Sequence, residues 1–133
     1  MGNTQLLVID PQVDFCDPEG ALFVNGAQED MQRLSDFISR NADKLYAIHC
    51  TLDNHHLMDI AHPLWWQDSE GNPPEPFTII DPDAVESGAW RTAQTDAQGR
   101  SLSYVKTLAQ NGRYPLCIWP PHCLIGSGGA AVL

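Results

Sequence analysis

Hydrophobic and polar positions fall into three regimes along the chain. Gln5-Leu-Leu-Val-Ile9 is a short, nearly continuous apolar run, the pattern of a strand buried on both faces of a parallel sheet. It ends at Asp10-Pro11, where proline has no N–H to offer a ladder. From Gln28 to Leu45 the residues Met31, Leu34, Ile38 and Leu45 recur at helical spacing, with Phe37 beside them. Glu29 and Asp30 open that segment and Arg40 and Lys44 close it, which suits the helix dipole. Tyr46-Ala-Ile-His-Cys50 reads as a second strand. Residues 57–100 then show no sustained period. Pro63, Gly71, Pro73, Pro74, Pro76, Pro82, Gly88 and Gly99 punctuate them, with at most a short strand at Phe77 to Ile80. This stretch reads as a long loop insertion, of the kind that forms a lid or an oligomer contact. Ser101 to Asn111 predicts a second helix, with Ser101 as cap, Leu102, Val105, Leu108 and Ala109 as stripe and Gly112 as stop. Leu116-Cys-Ile-Trp119 is the third strand, ended by Pro120-Pro121.

Strand, helix, strand, long loop, helix, strand is the order of an α/β protein with a parallel sheet. A length of 133 residues predicts one domain. Seventeen acidic against seven basic side chains give a net charge of −10, which argues against nucleic acid or an anionic membrane as partner. No apolar run is long enough to span a bilayer, and no export signal opens the chain. Cys16, Cys50, Cys117 and Cys123 form no CxxC pair. They read as small buried hydrophobes of a cytoplasmic protein.

In parallel α/β sheets, ligands bind outside the carboxyl ends of the strands. Asp10 ends the first strand, Asp53 and His55 follow the second, and His122 follows the third. Residues two apart in an extended segment point the same way, so Asp53 and His55 can present a carboxylate and an imidazole together. With His122 they make one carboxylate and two imidazoles, a common ligand set for a divalent transition metal with open positions. Each residue also has a plainer reading. His122 after two prolines can be structural, Asp53 can cap a turn, and Asp10 can bond backbone amides. His56 and His62 read as loop histidines, with His62 a candidate fourth ligand if the loop folds inward.

Three segments resemble one family. Leu7-Val-Ile-Asp10-Pro-Gln12-Val-Asp14-Phe15-Cys16 is similar to the opening of nicotinamidases and other isochorismatase-like cysteine hydrolases, where a strand ends in Asp-x-Gln-x-Asp-Phe. Thr51-x-Asp53-x-His55 resembles their metal-binding segment. Trp119-Pro-Pro-His122-Cys123-Leu-Ile-Gly126 resembles their Trp-Pro-x-His-Cys-x-x-Gly signature. The resemblance runs from residue 5 to about 129, and it favours the nicotinamidase branch, because isochorismatases usually lack the two metal motifs. It implies a three-layer, Rossmann-like parallel-sheet fold and hydrolysis of a small carboxamide through a cysteine thioester. It also implies Asp10 as general acid/base and Asp53, His55 and His122 as ligands of zinc, with iron or manganese as alternatives. Phe15 and Trp119 would flank the substrate ring, whose pyridine nitrogen the metal would hold. Trp119 can equally be core packing. Gln12 and Asp14 read as supporting residues, Asp14 as a turn or helix cap.

The family's lysine and nucleophilic cysteine both follow the Trp-Pro-x-His-Cys motif. Here eleven residues follow His122; none is a lysine, and Cys123 belongs to the metal motif. Lys44, Lys106, Cys16, Cys50 and Cys117 all precede it. The sequence is therefore read as the amino-terminal portion of such a hydrolase, truncated after its third main strand and inactive alone. Ending on Ala-Ala-Val-Leu, an apolar run, accords with that expectation. A stand-alone metal- or ligand-binding module is one alternative. A related cysteine hydrolase acting on another amide is a second, with 63–100 as the segment that leaves the substrate open. An interaction piece that pairs an exposed sheet edge with another chain is a third. A homo-oligomer is expected.

Overall fold

The computed structural model describes residues 4–110, 112 and 114–133. The protein is α/β, and it divides into two compact units, residues 1–55 with 122–133 and residues 56–121.

The first unit opens with β1 (Thr4–Val8), then α1 (Val13–Cys16), α2 (Ala27–Asn41) and β2 (Leu45–Cys50). β1 and β2 pair in parallel, with Leu6 opposite Ile48 and Val8 opposite Cys50. The crossover between them is α2, the connection that parallel strands require. α2 ends four residues earlier than the apolar spacing predicts. A 3-10 turn at Ala42–Lys44 follows, and Leu45 opens β2, because pairing with Thr4 outweighs a seven-residue helical repeat. The expectation that the first strand is buried on both faces is not met: Leu7 is 60% exposed, Ile9 68%, and only Val8 of β1 is buried. Among the described residues this sheet has two strands, too few to cover its own faces. The apolar end of the chain is paired. Val13 N donates to Ala131 O at 2.9 Å, Leu133 N to Pro11 O at 2.9 Å, and Gln12 and Val132 form an antiparallel bridge.

The second unit replaces the expected structureless loop with a run of short elements. A 3-10 turn at Pro63–Trp65 leads into β3 (Trp66–Gln67), followed by β4 (Ile79–Ile80), α3 (Pro82–Glu86) and β5 (Arg91–Thr92). α3 has a well-formed start, with Pro82 at its first turn and Asp81 Oδ1 accepting from Ala84 N at 2.7 Å. α4 (Gln98–Gln110) begins three residues before Ser101, so Ser101 is not a cap. It is buried in the helix interior, where Trp65 Nε1 donates to its Oγ at 3.0 Å. Asn111 lies outside the described residues. Gly112 has φ +63, a left-handed position that suits glycine at a helix end.

The last strand also departs from expectation. β6 (Leu116–Cys117) pairs antiparallel with β4, Ile80 opposite Leu116, rather than extending the parallel pair. β3 and β5 form a second antiparallel pair. Around these short ladders sits the apolar core: Trp66, Ile80, Val85, Val105, Leu116 and Ile118 are all buried. No helix among the described residues is long and apolar enough to cross a membrane.

Candidate metal centre

The ligand segment of the first unit is built from three strips of backbone laced together. Thr51 N donates to Val8 O at 2.9 Å, carrying the chain off β2 alongside β1. His55 N donates to Cys123 O, and Ile125 N to His55 O, each at 3.0 Å, so the segment around His122 runs as a parallel bridge beside His55. Side chains from residues 12–14 then lock both strips. Gln12 is fully buried; its Nε2 donates to Asp53 O at 2.8 Å and to Ala130 O at 3.0 Å, and its Oε1 accepts from Asp53 N at 2.7 Å. A primary amide thus copies a strand partner, satisfying both backbone groups of Asp53. Asp14 Oδ2 accepts from Cys123 N at 2.6 Å and its Oδ1 from Ala21 N at 3.0 Å. Asp14 therefore ties the residue after His122 to α1, and does not cap a helix. A Cβ on Gly129 would strike this carboxylate, which explains glycine there.

These clamps bring Asp53, His55 and His122 together, with one ligand atom from each lying within 4.8 Å of the others. Asp53 Oδ2 is 2.9 Å from His55 Nε2 and 3.3 Å from His122 Nε2, and the two imidazole centroids are 4.8 Å apart. Donors about 2.1 Å from a common ion sit about 3.0 Å apart at right angles and about 3.4 Å apart at tetrahedral angles. The two carboxylate–imidazole separations fall in that range, and the donor chemistry fits a divalent transition metal. Phe15 packs edge-on against His122, ring centroids 5.4 Å apart, and the His122 side chain is buried.

Asp10 occupies a left-handed backbone position, φ +50, which aspartate tolerates better than most residues. Its backbone N donates to Thr51 Oγ1 at 3.1 Å, and that hydroxyl donates back to Asp10 Oδ1 at 2.6 Å. The carboxylate is thereby fixed at one oxygen. Cys123 lies near Asp14, Asp53 and Asp10, and burial together with these negative charges pushes its thiol up to about 12. Such a thiol stays protonated at neutral pH and is a poor nucleophile. Burial raises the Cys16 thiol as well, with Asp30 adding to it. Cys16 and Cys123 are buried as expected, whereas Cys50 is exposed and Cys117 half-buried.

Two predicted residues belong to the second unit. His62 is buried there, its Nδ1 donating to His56 O at 3.2 Å. Trp119 is 39% exposed, its N donates to Ala61 O at 2.8 Å, and its ring meets Phe77 edge-on at 5.9 Å. The clamping roles of Gln12 and Asp14 were assigned no more than a supporting part from sequence. Their partners are backbone groups up to 118 residues away, which no local pattern reports.

No protein-family model matches the sequence, and no curated protein matches it at a significant level. Among solved structures, the chain is similar to the yeast nicotinamidase Pnc1p, at 21% identity and a TM-score of 0.60, over 97% of this chain and 48% of that one. It is similar to the same yeast enzyme bound to the inhibitor nicotinaldehyde, at 21% identity, a TM-score of 0.61 and the same coverage. The fold is isochorismatase-like, and the chain spans about half the length of the nicotinamidase it matches.

Proposed function

We propose that this chain supplies the metal-binding and acid/base portion of a nicotinamidase-like amidohydrolase, which converts a carboxamide to a carboxylate and ammonia. The observation that supports this reading most strongly is the Asp53–His55–His122 cluster, clamped at the strand ends of a fold shared with a nicotinamidase. A bound divalent ion, zinc first and iron or manganese next, would supply Lewis acidity and open positions for the substrate's ring nitrogen and for water.

The chain's own residues do the rest. Thr51 holds Oδ1 of Asp10, and among the described residues Oδ2 has no hydrogen-bond partner. Oδ2 is thus the oxygen left to take and return a proton. Phe15 braces the His122 ring and offers a flat apolar surface beside the ligands. The covalent step is assigned to none of the four cysteines. A nucleophilic cysteine needs a base and a nearby cation, whereas Cys123 sits among carboxylates. The two lysines are engaged elsewhere, Lys106 with Glu86 and Lys44 with Asn41. The 133-residue chain is accordingly proposed to bind metal and ligand without turnover, and the thioester chemistry belongs to a longer protein carrying the lysine and cysteine.

Cobalt(II) loading tests the reading. Nicotinamide should shift the visible absorption of the cobalt-loaded chain, and benzamide, which lacks the ring nitrogen, should not. A spectrum indifferent to nicotinamide contradicts the assignment, and ammonia release by this chain contradicts the absence of turnover.

A further inference from the structure

Among the described residues, three other than glycine hold a left-handed backbone: Asp10, Phe77 and Cys123. Aspartate takes that conformation readily, whereas at most other residues it persists only where the surroundings impose it. Cys123 directly follows the candidate ligand His122, is fully buried, and has φ +46. Both of its backbone groups are engaged. Its carbonyl accepts from His55 N at 3.0 Å, and its N–H donates to Asp14 Oδ2 at 2.6 Å. Rotation about the N–Cα bond turns the peptide that carries His122 relative to the carbonyl anchored on His55. Relaxing φ from +46 to about −63 would swing that peptide through about 110°. The His122 imidazole would then leave its place 3.3 Å from Asp53 Oδ2.

We propose that Asp14 and Cys123 form a latch: the carboxylate holds Cys123 left-handed, and this backbone state, not the thiol, aims His122 at the metal. Asp14 is then a positioning residue that acts on His122 through the Cys123 backbone. Four bonds fix it for that task. Its N donates to Gly129 O and its carbonyl accepts from Leu22 N, each at 3.0 Å. Oδ1 accepts from Ala21 N at 3.0 Å, which leaves Oδ2 presented to Cys123 with little freedom. All of these contacts lie within the first unit. The inference rests on the metal centre proposed above and adds what residues 14 and 123 must be. A carboxylate accepts from both Ala21 N and Cys123 N, and its charge strengthens both bonds. A primary amide has one oxygen and must turn its NH2 toward one of those two donors. Residue 123, in turn, must be one whose backbone can be held at positive φ.

Zinc affinity of the 133-residue chain, read by competition with a chromophoric chelator, tests the latch, with far-UV dichroism to show that each variant folds. Asp14→Ala should weaken binding about 10–100-fold. Adding Cys123→Gly should regain most of that loss, because glycine holds positive φ at no steric cost. A merely structural Asp14 predicts the opposite. Glycine also deletes a buried side chain and frees the unfolded backbone, so the loss would deepen. Cobalt(II) gives the same reading spectroscopically, its visible bands altered in Asp14→Ala and restored by Cys123→Gly. If Asp14→Ala does not fold, Asp14→Asn decides on the same two readouts, with and without Cys123→Gly. Undiminished affinity without the carboxylate, or a loss that Cys123→Gly does not reduce, overturns the latch and leaves the metal centre standing. A wild type that takes up no zinc overturns the metal centre and the latch with it.

Discussion

The two units are stabilised by different means. The second has, apart from the thirteen-residue α4, short and punctuated elements, but an apolar centre with Trp66, Ile80 and Ile118 at 0–1% exposure. The first has the long strands and the fifteen-residue helix, yet α2 has no buried residue. Its interior is mixed: beside Val8, Cys16 and Cys123, the polar side chains of Gln12, Asp14 and His122 are buried, each tied to backbone or to another side chain. The longer strands and the better-filled apolar core thus reside in different units. The unit with the weaker apolar core is the one carrying the candidate metal ligands, whose positions are set by hydrogen bonds that tolerate little displacement.

That contrast can be broken from either side, and the largest effect is expected in the second unit. Trp66→Ala removes the largest buried side chain and should cost about 3–5 kcal/mol. All four tryptophans, Trp65, Trp66, Trp90 and Trp119, lie in residues 56–121, so tryptophan fluorescence during urea unfolding reports this unit alone. In the first unit, Gln12→Leu deletes two hydrogen bonds to Asp53 and one to Ala130, and leaves the part-buried backbone groups of Asp53 without that partner. A loss of about 2–3 kcal/mol is expected, with metal affinity falling about 10–100-fold, measured by competition with a chromophoric chelator. An unchanged metal affinity would show that Asp53 does not need its clamp.

Gly129→Ala sharpens the same point. Its Cβ would displace the Asp14 carboxylate, so a cost of about 1–3 kcal/mol is expected; Asp14→Ala in the same background should then add little further loss. Thiol labelling at fixed pH ranks the cysteines by access. Cys50 should react first and Cys117 later, while Cys16 and Cys123 should wait for unfolding. The smallest effect belongs to the surface: Arg33 and Asp30 pair at 2.9 Å with both side chains more than 60% exposed, and Arg33→Ala should change monomer stability by less than about 0.5 kcal/mol.

The contrast also explains which features were legible in the sequence. β1, α2 and β2 announce themselves through apolar runs and helical spacing, since each follows one period for five residues or more. The meeting of Asp53, His55 and His122 was expected at the carboxyl ends of one parallel sheet; they do come together, but β6 pairs antiparallel with β4 and the segment around His122 is held by the bridge beside His55. In the core of the second unit, Val105, Leu116 and Ile118 lay on the predicted helix and strand and Ile80 on the short strand expected at Phe77 to Ile80. Trp66 and Val85 were not legible, because they sit on a two-residue strand and a five-residue helix too short for a period of 2 or 3.6 to register. Ser101 looked like a cap because serine caps many helices, but the Trp65 indole gave its hydroxyl a tertiary partner inside α4. Gln12 shows the remaining gap. Its role lies in matching the amide and carbonyl of Asp53, 41 residues away, and only the folded chain brings them together.

Calorimetric titration of zinc into the 133-residue chain tests the central claim most directly, because it asks whether the three clamped side chains act as one ligand set. One ion per chain should bind in the wild type, and His122→Ala and Asp53→Ala should each abolish that binding while keeping the tryptophan fluorescence of the second unit. Zinc uptake that persists undiminished in both variants, or no uptake by the wild type, would contradict the account.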